Sequence, residues 1–169
     1  ILAGFTHEPV VRLSERLIQI APRGLAHCFY ASDGSAALEI ALKMSFHYWQ
    51  NRGEKTRTPF INLANSYHGE TLGALSVGDV SLYKETYQPL LLEPITVKSP
   101  DCYHCEPGES CADYSARAFA EMEQALERHA GEVCAVVVEP LVQCAGSMRM
   151  YDPVYLNLLR QACDKHRVH

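Results

Sequence analysis

The sequence has no long apolar run and no cluster of basic residues. No apolar stretch reaches the roughly 18 residues that a membrane-spanning helix requires. Lysine and arginine number 15 against 20 acidic residues and are scattered along the chain, which argues against a nucleic-acid surface. Internal repeats and low-complexity tracts are also absent. A chain of 169 residues with this composition predicts one soluble globular domain that binds neither a membrane nor nucleic acid.

A complete zinc motif is missing as well. The segment "CYHCEPGESC" brings together Cys102, His104, Cys105 and Cys111, but a zinc site needs four ligands and no second cysteine pair follows at finger spacing. We therefore predict no metal site here and a loop of reduced cysteines. An oxidation pair between Cys105 and Cys111 is the alternative.

The N-terminal stretch "ILAGFTHEPV" lacks the charged and apolar regions of a secretory signal. The cysteines number seven, which is odd, and four of them lie in or beside apolar segments, where reduced cysteine behaves as a small hydrophobe. Both observations favour a cytoplasmic protein. Because the last helical pattern runs straight into "HRVH", where an alternating chain would begin its next strand, we expect the sequence to be a piece of a longer protein.

Helical and strand patterns alternate along the chain, which predicts an α/β fold with a mainly parallel sheet and helices on both faces. Five helices are predicted, over "EPVVRLSERLIQIAP", from Gly34 or Ser35 to Gly53, over "TLGALSVG", over "SARAFAEMEQALERHA" with a stripe of Phe119, Met122 and Leu126, and over "PVYLNLLRQACDKH". Four strands are predicted, over "HCFYAS", "PFINLAN", Ile95 to Val97 and "CAVVVEP". The second helix is expected to bury one face and the residues beside it, namely Ala37, Ile40, Ala41, Met44 and Tyr48 with Leu38, Leu42 and Trp49.

Three polar, glycine-containing segments directly follow predicted strands. They are "SDGSA", "NSYHGET" and "EPLVQCAGSM". In parallel sheets ligands bind at the carboxyl ends of the strands, so these segments are expected to form one site along one edge.

The first segment offers an anion site at a helix N-terminus. Gly34 and Ser35 can present backbone N–H groups and a hydroxyl to a phosphate. An ordinary helix cap by Ser32 or Asp33 is the alternative. The segment has neither the lysine of a phosphate-binding P-loop nor the three glycines of a dinucleotide fingerprint.

The other two segments carry an aromatic ring, an imidazole and a carboxylate. Tyr67 can stack on a flat heteroaromatic ring with His68 beside it, or both can simply fill a turn. Glu139 ends an otherwise apolar strand, so its carboxylate needs a buried partner or a cleft.

Three segments, "YASDGSAALEIALKMSFHYW", "NSYHGETLGALSVGD" and "AVVVEPLVQCAGSMRMYDP", resemble in order and spacing the class III (fold-type I) aminotransferases that use pyridoxal phosphate. The resemblance implies that residues 1–169 are an incomplete large cofactor-binding domain. Within the family the segments look most like the biotin-pathway members, which transfer an amino group from S-adenosylmethionine to 8-amino-7-oxononanoate. The family pattern Asp-Ser-Gly-Ser is replaced here by Ser32-Asp33-Gly34-Ser35.

The resemblance implies a role for each candidate residue. Gly34 and Ser35 would hold the cofactor phosphate, Tyr67 would lie against the cofactor ring with His68 adjacent, and Glu139 would lie by its hydroxyl side. The family's Schiff-base lysine and the acidic partner of the pyridinium nitrogen are expected downstream of His169. No catalytic residue is therefore assigned within this chain, which alone should be inactive. A homodimer is also implied.

Other functions remain open at this point. One is another class III enzyme acting on ornithine, 4-aminobutyrate or a diamine. A second is a non-catalytic module that binds a phosphate at Gly34 and Ser35, and a third is an interaction fragment without a ligand.

Overall fold

A computed structural model describes residues 4–169. Residues 1–3, which begin the N-terminal stretch considered above, lie outside the described part. The chain divides into a small N-terminal unit that ends at Ser32 and a larger unit from Asp33 to His169. Within residues 4–169 no helix combines the length and apolar character that crossing a membrane requires.

The N-terminal unit contains helix α1 (Glu8–Ile20), as predicted. Proline in its first turn is favourable because the N–H groups there have no intrahelical acceptor. The predicted strand over "HCFYAS" is wrong, because residues 27–31 have no regular secondary structure and pair with no strand of the described chain. Phe29 is 71% exposed, so the apolar residues of this segment do not form a buried strand. An apolar run becomes a strand only when a neighbouring strand takes its backbone groups.

The larger unit is built on a three-stranded parallel sheet, as predicted. Its strands are β1 (Phe60–Leu63), β2 (Ile95–Val97) and β3 (Ala135–Val137). Strand β1 is central, in the order β2-β1-β3. The buried Asn62 at its middle is satisfied, since its amide donates to the Val77 carbonyl at 2.8 Å and accepts from the Thr96 hydroxyl at 2.8 Å.

Helices cover both faces of this sheet, also as predicted. The helices of the larger unit are α2 (Gly34–Asn51), α3 (Leu72–Ser76), α4 (Ser81–Lys84), α5 (Cys111–Arg128) and α6 (Val154–His166). A 3₁₀ segment (Glu85–Leu90) follows α4.

Alternate residues of β1 point into two apolar cores. Ile61 and Leu63 join the core that α5 and α6 complete, with the stripe Phe119, Met122 and Leu126 buried as expected. Phe60 points to the opposite face and packs in the core that contains residues of α2. The two faces of a strand therefore account for both layers of helix.

The expected burial of α2 is wrong on one face. Leu42, Ser45 and Trp49 are the buried positions. Met44 and Tyr48, which were expected inside, are 56% and 44% exposed. Apolar residues surround most of this helix, so its sequence pattern does not single out the face that meets the sheet.

The cysteine loop also departs from the prediction. Cys102 and Cys111 form a disulfide that joins a 3₁₀ turn (Cys102–His104) to the start of α5, while Cys105 keeps a free thiol. The oxidised pair is therefore not Cys105 with Cys111. After β3 the chain forms a hairpin that the sequence analysis did not predict, with antiparallel strands β4 (Val142–Gln143) and β5 (Arg149–Met150).

Candidate functional site

The segments that follow β1 and β3 meet at the carboxyl edge of the sheet. We call residues 64–74, from the end of β1 through the first turn of α3, the Tyr67 loop. The Tyr67 N–H donates to Glu139 Oε1 at 2.8 Å, and the Cys144 N–H donates to Glu139 Oε2 at 3.0 Å. One carboxylate thus ties the Tyr67 loop to the segment that follows β3.

The N-terminus of α2 reaches the same place. The Glu70 N–H donates to Ser35 Oγ at 3.3 Å. Gly69, at φ +122°, lies so close to this hydroxyl that an added Cβ would overlap it. A glycine is required there on two grounds, because φ is positive and the approach is close. The three segments predicted to converge therefore do so, although the first follows a segment without regular secondary structure and not a strand.

The start of α2 keeps donors free. Asp33 caps the helix, accepting from the Ala36 N–H at 2.8 Å. Among the described residues no acceptor faces the N–H groups of Gly34 and Ser35. Since Ser35 Oγ accepts from the Glu70 N–H, its own hydrogen remains available to donate. The cap on the Ala36 N–H is therefore compatible with an anion site that would use the N–H groups of Gly34 and Ser35 and the Ser35 hydroxyl.

Tyr67 is half-buried in the loop. Its hydroxyl donates to Glu70 Oε1 at 3.0 Å, and this hydrogen bond together with partial burial raises the pKa of the phenol. Its ring lies 5.1 Å from the ring of Tyr83, at an angle of 56°. The ring is held on one side by Tyr83, and its phenol stays neutral at physiological pH.

His68 follows Tyr67 and turns inward. Its Nε2 is buried and has no hydrogen-bond partner among the described residues. Burial lowers the pKa of the imidazole to about 4, so the ring is neutral at pH 7. An unpaired buried nitrogen in the loop that contacts the N-terminus of α2 is a candidate contact for a polar ligand.

Glu139 does not stand free. Sequence reasoning required that its carboxylate find a partner or a cleft, and the two backbone N–H groups of the Tyr67 loop and the hairpin supply the partner. A carboxylate can accept further hydrogen bonds, so this anchoring leaves acceptor capacity for a ligand.

Sequence reasoning missed three residues that shape the site. Glu39 accepts from the N–H groups of Gly73 and Ala74. Asp79 Oδ2 accepts from the Asn65 N–H at 2.9 Å. The buried Gln143 accepts from Ser99 Oγ at 2.5 Å and donates to the Ala64 carbonyl at 2.9 Å, which joins the segments after all three parallel strands. The one available signal was the spacing of Glu39 from Ser35, four residues along one helix face.

Within residues 4–169, no hydrogen bond or ion pair joins a lysine to the predicted site residues. Lys84 is half-buried and donates to the carbonyls of Ser76 and Gly78, at 3.2 and 2.7 Å. Burial lowers its pKa. Lys165 pairs with Glu127 at 3.4 Å. The others, Lys43, Lys55 and Lys98, are exposed.

Comparison with known proteins places the chain in a family. The family model for aminotransferase class III matches residues 1–169. A protein of Geobacter sulfurreducens named adenosylmethionine-8-amino-7-oxononanoate aminotransferase is 40% identical over 168 residues, which covers 99% of this chain and 37% of the relative. A protein of the same name from Helicobacter pylori is 42% identical over 170 residues, covering 100% of this chain and 36% of the relative. The chain thus spans little more than a third of these relatives.

Solved structures agree with this assignment. The crystal structure of the equally named enzyme from Methanocaldococcus jannaschii matches with a TM-score of 0.86 at 34% identity, covering 99% of this chain and 35% of that chain. An omega transaminase of Pseudomonas jessenii in complex with PMP matches with a TM-score of 0.87 at 25% identity, covering 99% and 37%. The predicted α/β fold of a fold-type I large domain is confirmed by these matches. The chain belongs to the class III aminotransferases, a family whose cofactor is pyridoxal phosphate.

Proposed function

We propose that the full-length protein containing this chain is an aminotransferase of biotin biosynthesis. It would transfer the amino group of S-adenosylmethionine to 8-amino-7-oxononanoate and form 7,8-diaminononanoate. The support is the name carried by relatives that are 40% and 42% identical across this whole chain. Because the chain spans about a third of their length, the rest of the activity belongs to parts outside it.

Residues 1–169 would be an incomplete large cofactor-binding domain. The observation that carries this proposal is the set of free donors at the start of α2, beside the Tyr67 loop. The N–H groups of Gly34 and Ser35 and the Ser35 hydroxyl fit a phosphate, because the positive end of the helix dipole adds to three donors. These residues would hold the phosphate of pyridoxal phosphate.

The remaining site residues would face the cofactor ring. When bound, pyridoxal phosphate supplies the electron sink for amino transfer. Tyr67 would pack against the ring, with its orientation set by Tyr83 and by the bond to Glu70. The neutral imidazole of His68 adds a polar edge without adding charge. Glu139 would hold the Tyr67 loop and present its remaining lone pairs on the cofactor's hydroxyl side.

Several parts of the proposal concern the rest of the protein. The lysine that would bind the cofactor and the acid that would pair with its ring nitrogen would lie beyond His169. This chain alone should therefore be inactive. We also propose a cytoplasmic homodimer, by analogy with the family.

The test uses the full-length protein. Purified protein is titrated with pyridoxal phosphate and followed by its absorbance, then incubated with S-adenosylmethionine and 8-amino-7-oxononanoate. Mass spectrometry should detect 7,8-diaminononanoate. Ser35→Ala should weaken cofactor binding by about tenfold or more, because a charge-assisted hydrogen bond to the phosphate is lost. Tyr67→Ala should also weaken it, because the packing against the cofactor ring is lost. Tyr103→Ala is the matched control, because this tyrosine is 90% exposed.

A second candidate is a class III enzyme with other substrates. It is favoured by the match to an omega transaminase, whose TM-score of 0.87 is as high as the 0.86 of the biotin-type structure. Product formation from ornithine, 4-aminobutyrate or a diamine, but not from S-adenosylmethionine, would establish it. If Tyr67→Ala leaves binding unchanged and inorganic phosphate binds as well as the cofactor, the site is a phosphate module and the aminotransferase proposal fails.

A further inference from the structure

Helix α2 and the Tyr67 loop approach each other at two matched points. Ser35 and Glu39 are four residues apart and share one face of α2. Opposite them lie Gly69 and Gly73, which are also four residues apart. An added Cβ at Gly69 would overlap the Ser35 hydroxyl, and one at Gly73 would overlap the Glu39 carboxylate. The two glycines therefore let the loop lie directly on the helix.

Glu39 makes the stronger of the two contacts. Its Oε1 accepts from the Gly73 N–H at 2.6 Å and from the Ala74 N–H at 3.1 Å, and the Thr71 hydroxyl donates to the same carboxylate. Thr71 is the N-cap residue of α3, yet its side chain caps no backbone N–H of that helix. The Glu39 carboxylate of α2 thus accepts from the N–H groups at the start of α3 that an N-cap side chain would otherwise satisfy.

The electrostatics agree with an ionised carboxylate in this place. Burial raises the pKa of Glu39, but the hydrogen bonds from Thr71, Ala74 and Gly73, with the charge of Lys43, outweigh burial and leave the pKa below its usual value. The carboxylate is therefore charged while it holds the two N–H groups.

Carboxylates also hold the other half of the loop. The Asn65 N–H donates to Asp79 at 2.9 Å and the Tyr67 N–H to Glu139 at 2.8 Å. The loop is thus fixed before Tyr67 by elements after α3 and β3, whereas beyond His68 it is fixed to α2 by Ser35 and Glu39. The second attachment is the one that links the loop to the helix whose N-terminus would offer the anion site, among the hydrogen bonds of residues 4–169.

We propose that Glu39 is a positioning residue that sets the Tyr67 loop at a fixed distance from the N-terminus of α2. Its hydrogen bonds keep Tyr67 and His68 in register with the donors of Gly34 and Ser35. The identity of the ligand as pyridoxal phosphate rests on the proposed function, while the positioning itself does not.

Two variants separate the reach of this side chain from its charge. Glu39→Asp keeps the charge but shortens the side chain by one CH₂, so it cannot reach both N–H groups. Glu39→Gln keeps the reach, with an amide oxygen for Gly73 and Ala74 and an NH₂ group that can donate to Thr71. Glu123→Gln, at an exposed position of α5, is the control. If Glu39 positions the loop, Glu39→Gln should resemble the unaltered protein and Glu39→Asp should not.

The first readout needs no cofactor. Hydrogen–deuterium exchange of the full-length protein should show the amides of Gly73 and Ala74 exchanging at least about tenfold faster in Glu39→Asp, since a hydrogen bond to a charged group is lost. Glu39→Gln and Glu123→Gln should exchange like the unaltered protein. Unchanged exchange in Glu39→Asp would overturn the proposal.

The second readout is the bound cofactor. Glu39→Asp should bind pyridoxal phosphate about tenfold more weakly and change the circular dichroism of the bound chromophore, whose sign and intensity report its asymmetric surroundings. Glu39→Gln should restore both. Loss of thermal stability in Glu39→Asp with unchanged cofactor dichroism and affinity would make Glu39 merely structural and refute the inference. If the unaltered protein does not bind pyridoxal phosphate, the proposed function fails, and the exchange experiment still decides the positioning role.

Discussion

Removing the guanidinium of Arg57 should destabilise the protein by about 3 kcal/mol. This side chain is 1% exposed. Its Nε donates to Glu54 at 2.7 Å, its Nη1 donates to the Val133 carbonyl at 2.8 Å, and the guanidinium lies 4.1 Å from the ring centre of Trp49. Arg57→Ala would remove all three interactions and leave a cavity.

The magnitude follows from these contacts. Breaking a buried ion pair by removing one partner costs about 3 to 5 kcal/mol, because the remaining charge is left without compensation. The Glu54 side chain is 25% exposed and still faces Arg52 at 3.8 Å and Arg167 at 3.5 Å, so its charge stays partly compensated and the cost falls at the low end of this range. The lost stacking on Trp49 adds up to about 2 kcal/mol when the pair is dry, but part of this is recovered as the ring repacks.

The assay is urea unfolding followed by tryptophan fluorescence. The signal comes from the surroundings of Arg57, because Trp49, on which its guanidinium lies, is the sole tryptophan of the chain. Arg52→Ala is the matched control. Its Nε also faces Glu54, at 3.8 Å, but its side chain is 54% exposed. An exposed pair contributes about 0.5 kcal/mol or less. If Arg57→Ala cost no more than Arg52→Ala, the guanidinium would not be a structural element and this reasoning would be refuted.

Three further predictions concern other parts of the larger unit. Tyr155→Phe should be neutral or stabilising by up to about 1 kcal/mol in urea unfolding, since the Tyr155 hydroxyl is buried without a partner among the described residues. Tyr151→Phe should instead cost about 1 kcal/mol, because the Tyr151 hydroxyl donates to the Glu139 carbonyl. Reducing the disulfide between Cys102 and Cys111, which lie 9 residues apart, should lower the unfolding free energy by about 2 to 3 kcal/mol, and an unchanged urea midpoint with dithiothreitol would contradict this. The pKa of His68 is about 4 in the fold against 6.5 for the free side chain, so the unfolded state binds more protons between these pH values. The free energy of unfolding should therefore fall by up to about 3 kcal/mol as the pH falls from 6.5 to 4. His68→Gln should remove most of this pH dependence.

Much of the architecture could be predicted because the local spacing of apolar residues determines it. The stripe of Phe119, Met122 and Leu126 specifies both the helix and its inward face. The continuous β-branched run that ends at Val138 specifies a buried parallel strand. The segments after the strands could be grouped because a parallel sheet brings its carboxyl ends to one edge.

Features that depend on a distant partner escaped prediction. The apolar letters around Phe29 suggest a strand, but a strand requires a neighbour that spacing does not reveal. In the same way, Glu39 and Glu139 look like isolated acidic residues until the fold brings backbone N–H groups from the Tyr67 loop to each of them. The oxidised pair in the cysteine loop also depends on how the first turn of α5 folds back, and not on the number of intervening residues.

The central position of β1 has a consequence for how the chain reaches this structure during synthesis. Phe60 pairs with Ala135, a residue that the ribosome adds only after β2 and the whole of α5. Until then an apolar strand has one edge unpaired and one face uncovered, and pairing so distant in sequence closes slowly. The nascent chain therefore exposes an aggregation-prone segment from the synthesis of residue 60 until that of residue 135, which makes β1 the segment that a chaperone would bind.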